Sequence, residues 1–141
     1  MGIRPQPMRV ARDVEATSRW YQALLGLRSA HGGPYYDQLV DGATLVMQIH
    51  KDDEADHHGK LGEAGRPLDA HGALLWFEVD EFDTVEERAG AMGAEILLAR
   101  HRNPPDGNGG PNHWELWLRD PEGATVVVAS PYGTADGDWK P

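Results

Sequence analysis

Residues 113 to 117 read His-Trp-Glu-Leu-Trp. Alternate side chains of a strand share a face, so His113, Glu115 and Trp117 stand together there. An imidazole beside a carboxylate can pass a proton. It can contribute to a zinc, manganese or iron site. It can also stand as a hydrogen-bonded polar wall with no chemistry. Two other stretches offer partners: Gln48 and His50 share a face in "ATLVMQIH", and Trp76 and Glu78 share one in "ALLWFEV". An indole face accepts a flat aromatic ring, or a cation for roughly 0.5–2 kcal/mol. Gln48, His50, Trp76, Glu78, His113, Glu115 and Trp117 are therefore the candidate ligand-binding residues. His101 could join them at one mouth of a cavity. No catalytic residue and no metal ligand is assigned.

The composition narrows what such a site would serve. Among 141 residues, 13 are Lys or Arg and 23 are Asp or Glu, a formal net charge of −10. That balance argues against nucleic acid, whose binding runs on clustered Lys and Arg. It suits a neutral or cationic small molecule. There is no cysteine, which excludes disulfides and thiolate nucleophiles. No apolar run approaches the roughly 20 residues that span a bilayer, and the N-terminus lacks a signal-peptide core. The expectation is a cytoplasmic protein with no membrane association.

The elements that must position these residues come in two passes. In the first, "PMRVA" reads as a strand and "RDVEATSRWYQALLG" as a helix. Asp13 caps that helix, Val14, Thr17, Tyr21 and Leu24 form its stripe, and Gly26 ends it. "LRSA" and "YYDQLV" follow as strands, and Asp41-Gly42 turns into "ATLVMQIH". In the second pass "ALLWFEV" is the strand and "DEFDTVEERAGAMG" the helix, with Asp83 and Glu86 as a capping box and Phe82, Val85, Ala89 and Met92 as the stripe. "AEILLA" and "HWELWL" are strands, and Asp120 to Gly123 turns into "ATVVVAS". The last strand entry is written twice, "DGATLVMQI" and "EGATVVVAS", and the helices align without gaps, Asp13 to Gly26 against Asp80 to Gly93.

The chain therefore divides into a first βαβββ module (1–50), a linker (51–71), a second βαβββ module (72–131) and a tail (132–141) expected to be loosely held. The uniformly apolar faces, Leu45, Met47 and Ile49 in one module and Leu75, Leu116 and Leu118 in the other, belong under the helices. The Gly- and Pro-rich run 102–112 is a loop too long for a simple hairpin and a candidate lid.

With "WYQALLGL" ending the first helix, "FEVDEFD" opening the second and "LRDPEG" before the last strand, the chain resembles the vicinal oxygen chelate superfamily. That group holds glyoxalase I, extradiol dioxygenases, fosfomycin-resistance enzymes and bleomycin-resistance proteins. The resemblance implies an α+β fold, two βαβββ modules forming a paired, cupped mixed sheet with helices on the outer face. It also implies a divalent metal held by His, Gln or Glu on the modules' first and last strands. Those positions fall here on Gln6, Val46, Leu74 and Val127. Leu74 and Val127 cannot bind metal. The sequence thus sides with the metal-free, bleomycin-resistance-like branch, whose members bind a cationic drug in a groove between two subunits. The expectation is a homodimer that binds a small aromatic or cationic molecule without a cofactor. The alternative is a metal-dependent lyase, isomerase or dioxygenase with a rearranged ligand set, which leaves a divalent metal open.

Overall fold

The computed structural model describes residues 5–51, 74–107 and 110–135. Apart from Lys51, the expected linker lies outside the described residues. The chain forms two compact units, Met1–Arg66 and Pro67–Pro141. Among the described residues no helix is long and apolar enough to cross a membrane.

The first unit holds β1 (Met8–Ala11), α1 (Val14–Leu25), β2 (Arg28–Ser29), β3 (Tyr36–Asp41) and β4 (Thr44–Lys51). Its sheet runs β1-β4-β3-β2, with β1 parallel to β4 and the other pairs antiparallel. The Asp13 carboxylate accepts from the Ala16 N–H at 2.9 Å, and Gly26 closes the helix in the left-handed region at φ 70°. Both caps follow from residue type: a short acidic side chain satisfies an orphan N–H, and only glycine turns left without strain. Val14, Tyr21 and Leu24 of α1 are buried, as are Leu39, Met47 and Ile49 of the sheet. Asp37 shares their face because it pairs in register with Ile49. Its buried carboxylate accepts from Ser18 Oγ of α1 (2.5 Å), Ser29 Oγ (2.7 Å), Gly32 N (2.7 Å) and Gln38 N (2.8 Å). Burial alone would raise its pKa; the donors outweigh burial and hold it below the ordinary carboxylate value. This one side chain ties helix, loop and sheet together.

The second unit repeats the plan with β5 (Leu75–Glu78), α2 (Phe82–Ala91), β6 (Glu95–Asn103), β7 (His113–Arg119) and β8 (Thr125–Ala129), in sheet order β5-β8-β7-β6. The turn into β8 is held by Asp120, whose Oδ1 accepts from Glu122 N and Ala124 N at 2.9 Å each. The expected capping box on α2 does not form. Its N-cap is Glu81, which makes no side-chain cap bond, and Asp83 lies two residues further in, inside the first turn. Arg100 of β6 is the competitor. Its guanidinium sits over the rings of Phe82 and Trp114, 5.1 and 4.6 Å from their centroids, and binds both Asp83 and Glu86. That clip also fixes the faces of the sheet: Trp114, and with it Leu116 and Leu118, lies on the α2 side, as strand parity predicts. His113, Glu115 and Trp117 are left for the open side.

β6 runs four residues beyond the expected "AEILLA". The polar stretch His101 to Asn103 stays in the sheet because it pairs residue for residue with β7, after two register shifts. Beyond it the described part of the 102–112 loop is clipped. Arg102 Nε donates to Oδ1 of the buried Asn112 at 2.7 Å. Gly107 approaches so closely that a Cβ there would lie 2.3 Å from Arg102 Nη2. The start of the tail is tied to the same loop, with Gly133 N donating to Pro111 O (2.9 Å) and Ala135 N to Asn112 O (3.2 Å).

Asp37→Ala strands two half-buried N–H groups and two hydroxyls, and should cost roughly 3 kcal/mol. Asp37→Asn keeps an acceptor and should cost about half that. Urea unfolding measures both; equal and small losses would deny Asp37 its tying role.

Candidate ligand-binding face

The open face of the second sheet is laid out in rows by its register. Trp76, Val127 and Trp117 form one row across β5, β8 and β7. Glu78, Ala129 and Glu115 form the next, extended to His101 on β6. His113 and Asn103 pair in the row beyond.

Glu115 is the hub. It is 2% exposed. Its Oε1 accepts from Asn103 Nδ2 (2.6 Å) and from His113 Nε2 (2.9 Å). Its Oε2 accepts from Trp117 Nε1 at 2.9 Å and faces His101 Nε2 at 3.3 Å. Three donors and a neighbouring imidazole engage most of the roughly four lone-pair sites of a carboxylate. Burial alone would push the Glu115 pKa up. The bonds from Asn103, Trp117 and His113, with the charge His113 can carry, outweigh burial and hold it below the ordinary value. The carboxylate is therefore ionised at neutral pH, and its oxygens are already occupied.

Around this hub stand rings. His113 stacks on Trp76 with centroids 6.1 Å apart and planes 29° apart, and Tyr132 lies 5.9 Å from His113 on the other strand end. Trp76 belongs to β5 and His113 to β7, with β8 between them. The indole thus reaches across β8, where this face carries only the small side chains Val127 and Ala129, both buried. Trp76 nevertheless remains 47% exposed, and Tyr132 65%.

The structure brings Trp76, His113, Glu115 and Trp117 together, with Glu78 exposed two residues along from Trp76. Gln48 and His50 belong to the first unit and gather round Tyr36. Tyr36 donates its hydroxyl to Gln48 Oε1 (2.5 Å) and accepts from Gln38 Nε2 (3.1 Å), while the His50 ring lies 5.9 Å away. The repeat explains the difference. Gln38 pairs with Gln48 as Glu115 pairs with Ala129, so the first module has an amide where the second has its carboxylate. Asn103 and Tyr132 escape sequence reasoning. Asn103 sits in a run that reads as loop, and Tyr132 in the tail; only the pairing of β6 with β7 and the tail's tether place them.

The metal positions implied by the resemblance do not fit a metal. Val127 is a fully buried hydrocarbon flanked in register by Trp76 and Trp117, and Leu74 is another hydrocarbon. Gln6 is exposed, and its backbone carbonyl accepts from Gln48 Nε2 at 3.3 Å. His101 and His113 flank different oxygens of Glu115, and no group of three or more His, Cys, Asp or Glu is arranged to hold a metal among the described residues.

Comparison with known proteins agrees with this architecture. The chain belongs to the Glyoxalase/Bleomycin resistance protein/Dioxygenase superfamily, whose family model matches residues 5–128. Three solved structures share its fold. TioX from Micromonospora sp. ML1 has a TM-score of 0.68 at 16% identity, covering 92% of this chain and 99% of TioX. A lactoylglutathione lyase from Agrobacterium tumefaciens has a TM-score of 0.67 at 19% identity, covering 97% and 98%. The fosfomycin resistance protein FosX from Mesorhizobium loti has a TM-score of 0.61 at 15% identity, covering 95% and 96%. No curated relative matches the chain.

Glu115→Gln replaces an acceptor by an amide N–H₂ that meets donors, and should destabilise the protein by about 1–2 kcal/mol at neutral pH. A carboxylate whose folded pKa is depressed stabilises above its unfolded pKa, about 4, and loses that contribution as pH falls through the folded value. The stability gap between wild type and Glu115→Gln should therefore narrow steadily in acid. A gap independent of pH would contradict an ionised, hydrogen-bonded Glu115.

Proposed function

We propose that the open face of the second sheet binds a flat aromatic molecule carrying positive charge, and holds it without changing it chemically. Trp76 carries this reading. A large indole braced on one side by His113, and still half exposed, is a ready stacking platform. Ring stacking contributes about 0.5–1.5 kcal/mol beyond buried area, and a cation over an indole about 0.5–2 kcal/mol. The net charge of −10 favours a cationic partner. The hydrocarbons Leu74 and Val127 at the implied metal positions favour binding over metal chemistry. The resemblance to bleomycin-resistance proteins supports a homodimer as the binding unit and sequestration as the outcome. The superfold hosts several chemistries, so family membership alone decides none of this.

A second reading, a metal-dependent lyase, isomerase or dioxygenase with a rearranged ligand set, rests on the two imidazoles around Glu115. One preparation separates the two readings. Calorimetric titration with ethidium, a planar aromatic cation, should show saturable binding, weakened about tenfold by Trp76→Ala. Absence of saturable binding would overturn the first reading. A stoichiometric transition metal in protein purified without added metal, lost on His113→Ala, would promote the second.

A further inference from the structure

We infer that Glu78, and not Glu115, is the side chain that selects a positively charged ligand; the inference rests on the binding face proposed above. Glu115 stands at the centre of that face and is the obvious counter-charge. Its geometry disqualifies it. Both oxygens are engaged, by hydrogen bonds from Asn103, His113 and Trp117 and by the His101 imidazole at 3.3 Å, and the residue is buried. A ligand cation could touch it only by displacing those donors and entering a buried site.

Glu78 is placed the other way. It lies two residues from Trp76 on the same strand face, about 7 Å along β5. It is exposed, and no hydrogen bond or ion pair engages it among the described residues. Ala129 stands beside it in register and separates it from Glu115 by the width of two strand spacings, about 10 Å. A ring stacked on Trp76 therefore presents its edge to the Glu78 carboxylate. The ligand class follows: a planar heteroaromatic whose positive charge lies in the ring or on a substituent within about 7 Å of it.

N-methylacridinium and acridine make the test. They share one flat tricycle and differ in charge at a pH where acridine is neutral. Both are titrated by calorimetry into wild type, Glu78→Gln and Glu115→Gln, near physiological salt, where a Debye length of about 8 Å screens remote charges. Wild type should prefer the cation by about fivefold. Glu78→Gln should abolish most of that preference, weakening the cation far more than acridine. Glu115→Gln should weaken both probes alike and keep the preference. A preference that survives Glu78→Gln, or that disappears only in Glu115→Gln, overturns the inference while the binding face stands. Failure of both probes to bind wild type removes the binding face itself, and the inference with it.

Discussion

A single buried carboxylate organises the second module's open face. Glu115 would be costly to bury alone, because an unpaired charge loses its hydration. Three hydrogen bonds and the adjacent His101 imidazole offset that cost, and each partner is thereby fixed. Asn103 and His101 hold the end of β6 in the sheet, Trp117 is oriented by its indole N–H, and His113 is turned so that Trp76 can stack on it. Removing the charge loosens four side chains at once. The ligand platform is thus a consequence of an interior electrostatic constraint, although the platform itself is aromatic.

The repeated plan of the chain makes the asymmetry between modules informative. Each module buries one strand carboxylate against several donors, but on opposite sides of its sheet. Asp37 faces α1 and ties a helix to strands. Glu115 faces away from α2 and ties strands to an aromatic surface. In the first module the position matching Glu115 is Gln38, within a neutral network of Tyr36, Gln38 and Gln48. The two halves therefore keep one scaffold and differ in the chemistry of their open faces.

Much of this was written in the sequence. Strand parity separated Trp114, Leu116 and Leu118 from His113, Glu115 and Trp117, because a two-residue period survives any detail of packing. The Asp13 cap, the Gly26 stop and the Asp120 to Gly123 turn follow from local chemistry. What escaped depends on partners distant in sequence. The capping box on α2 failed because Arg100, fourteen and seventeen residues away, binds Glu86 and Asp83. Asn103 was hidden because a polar run looks like loop until its pairing with β7 is known. Nothing in the residue type of Glu115 shows that both of its oxygens are engaged within the sheet, and that fact moves the proposed charge selection to Glu78.

The indole N–H signals of the five tryptophans test the central claim most directly. If Glu115 is an ionised anchor, the Trp117 Nε1–H proton resonates downfield of the others in a nitrogen–proton correlation spectrum. It should stay there when the protein is saturated with ethidium, and move back only as acid protonates Glu115. A Trp117 signal among the ordinary indoles, or one that moves back when the cation binds, would show that Glu115 is a ligand contact and not an anchor.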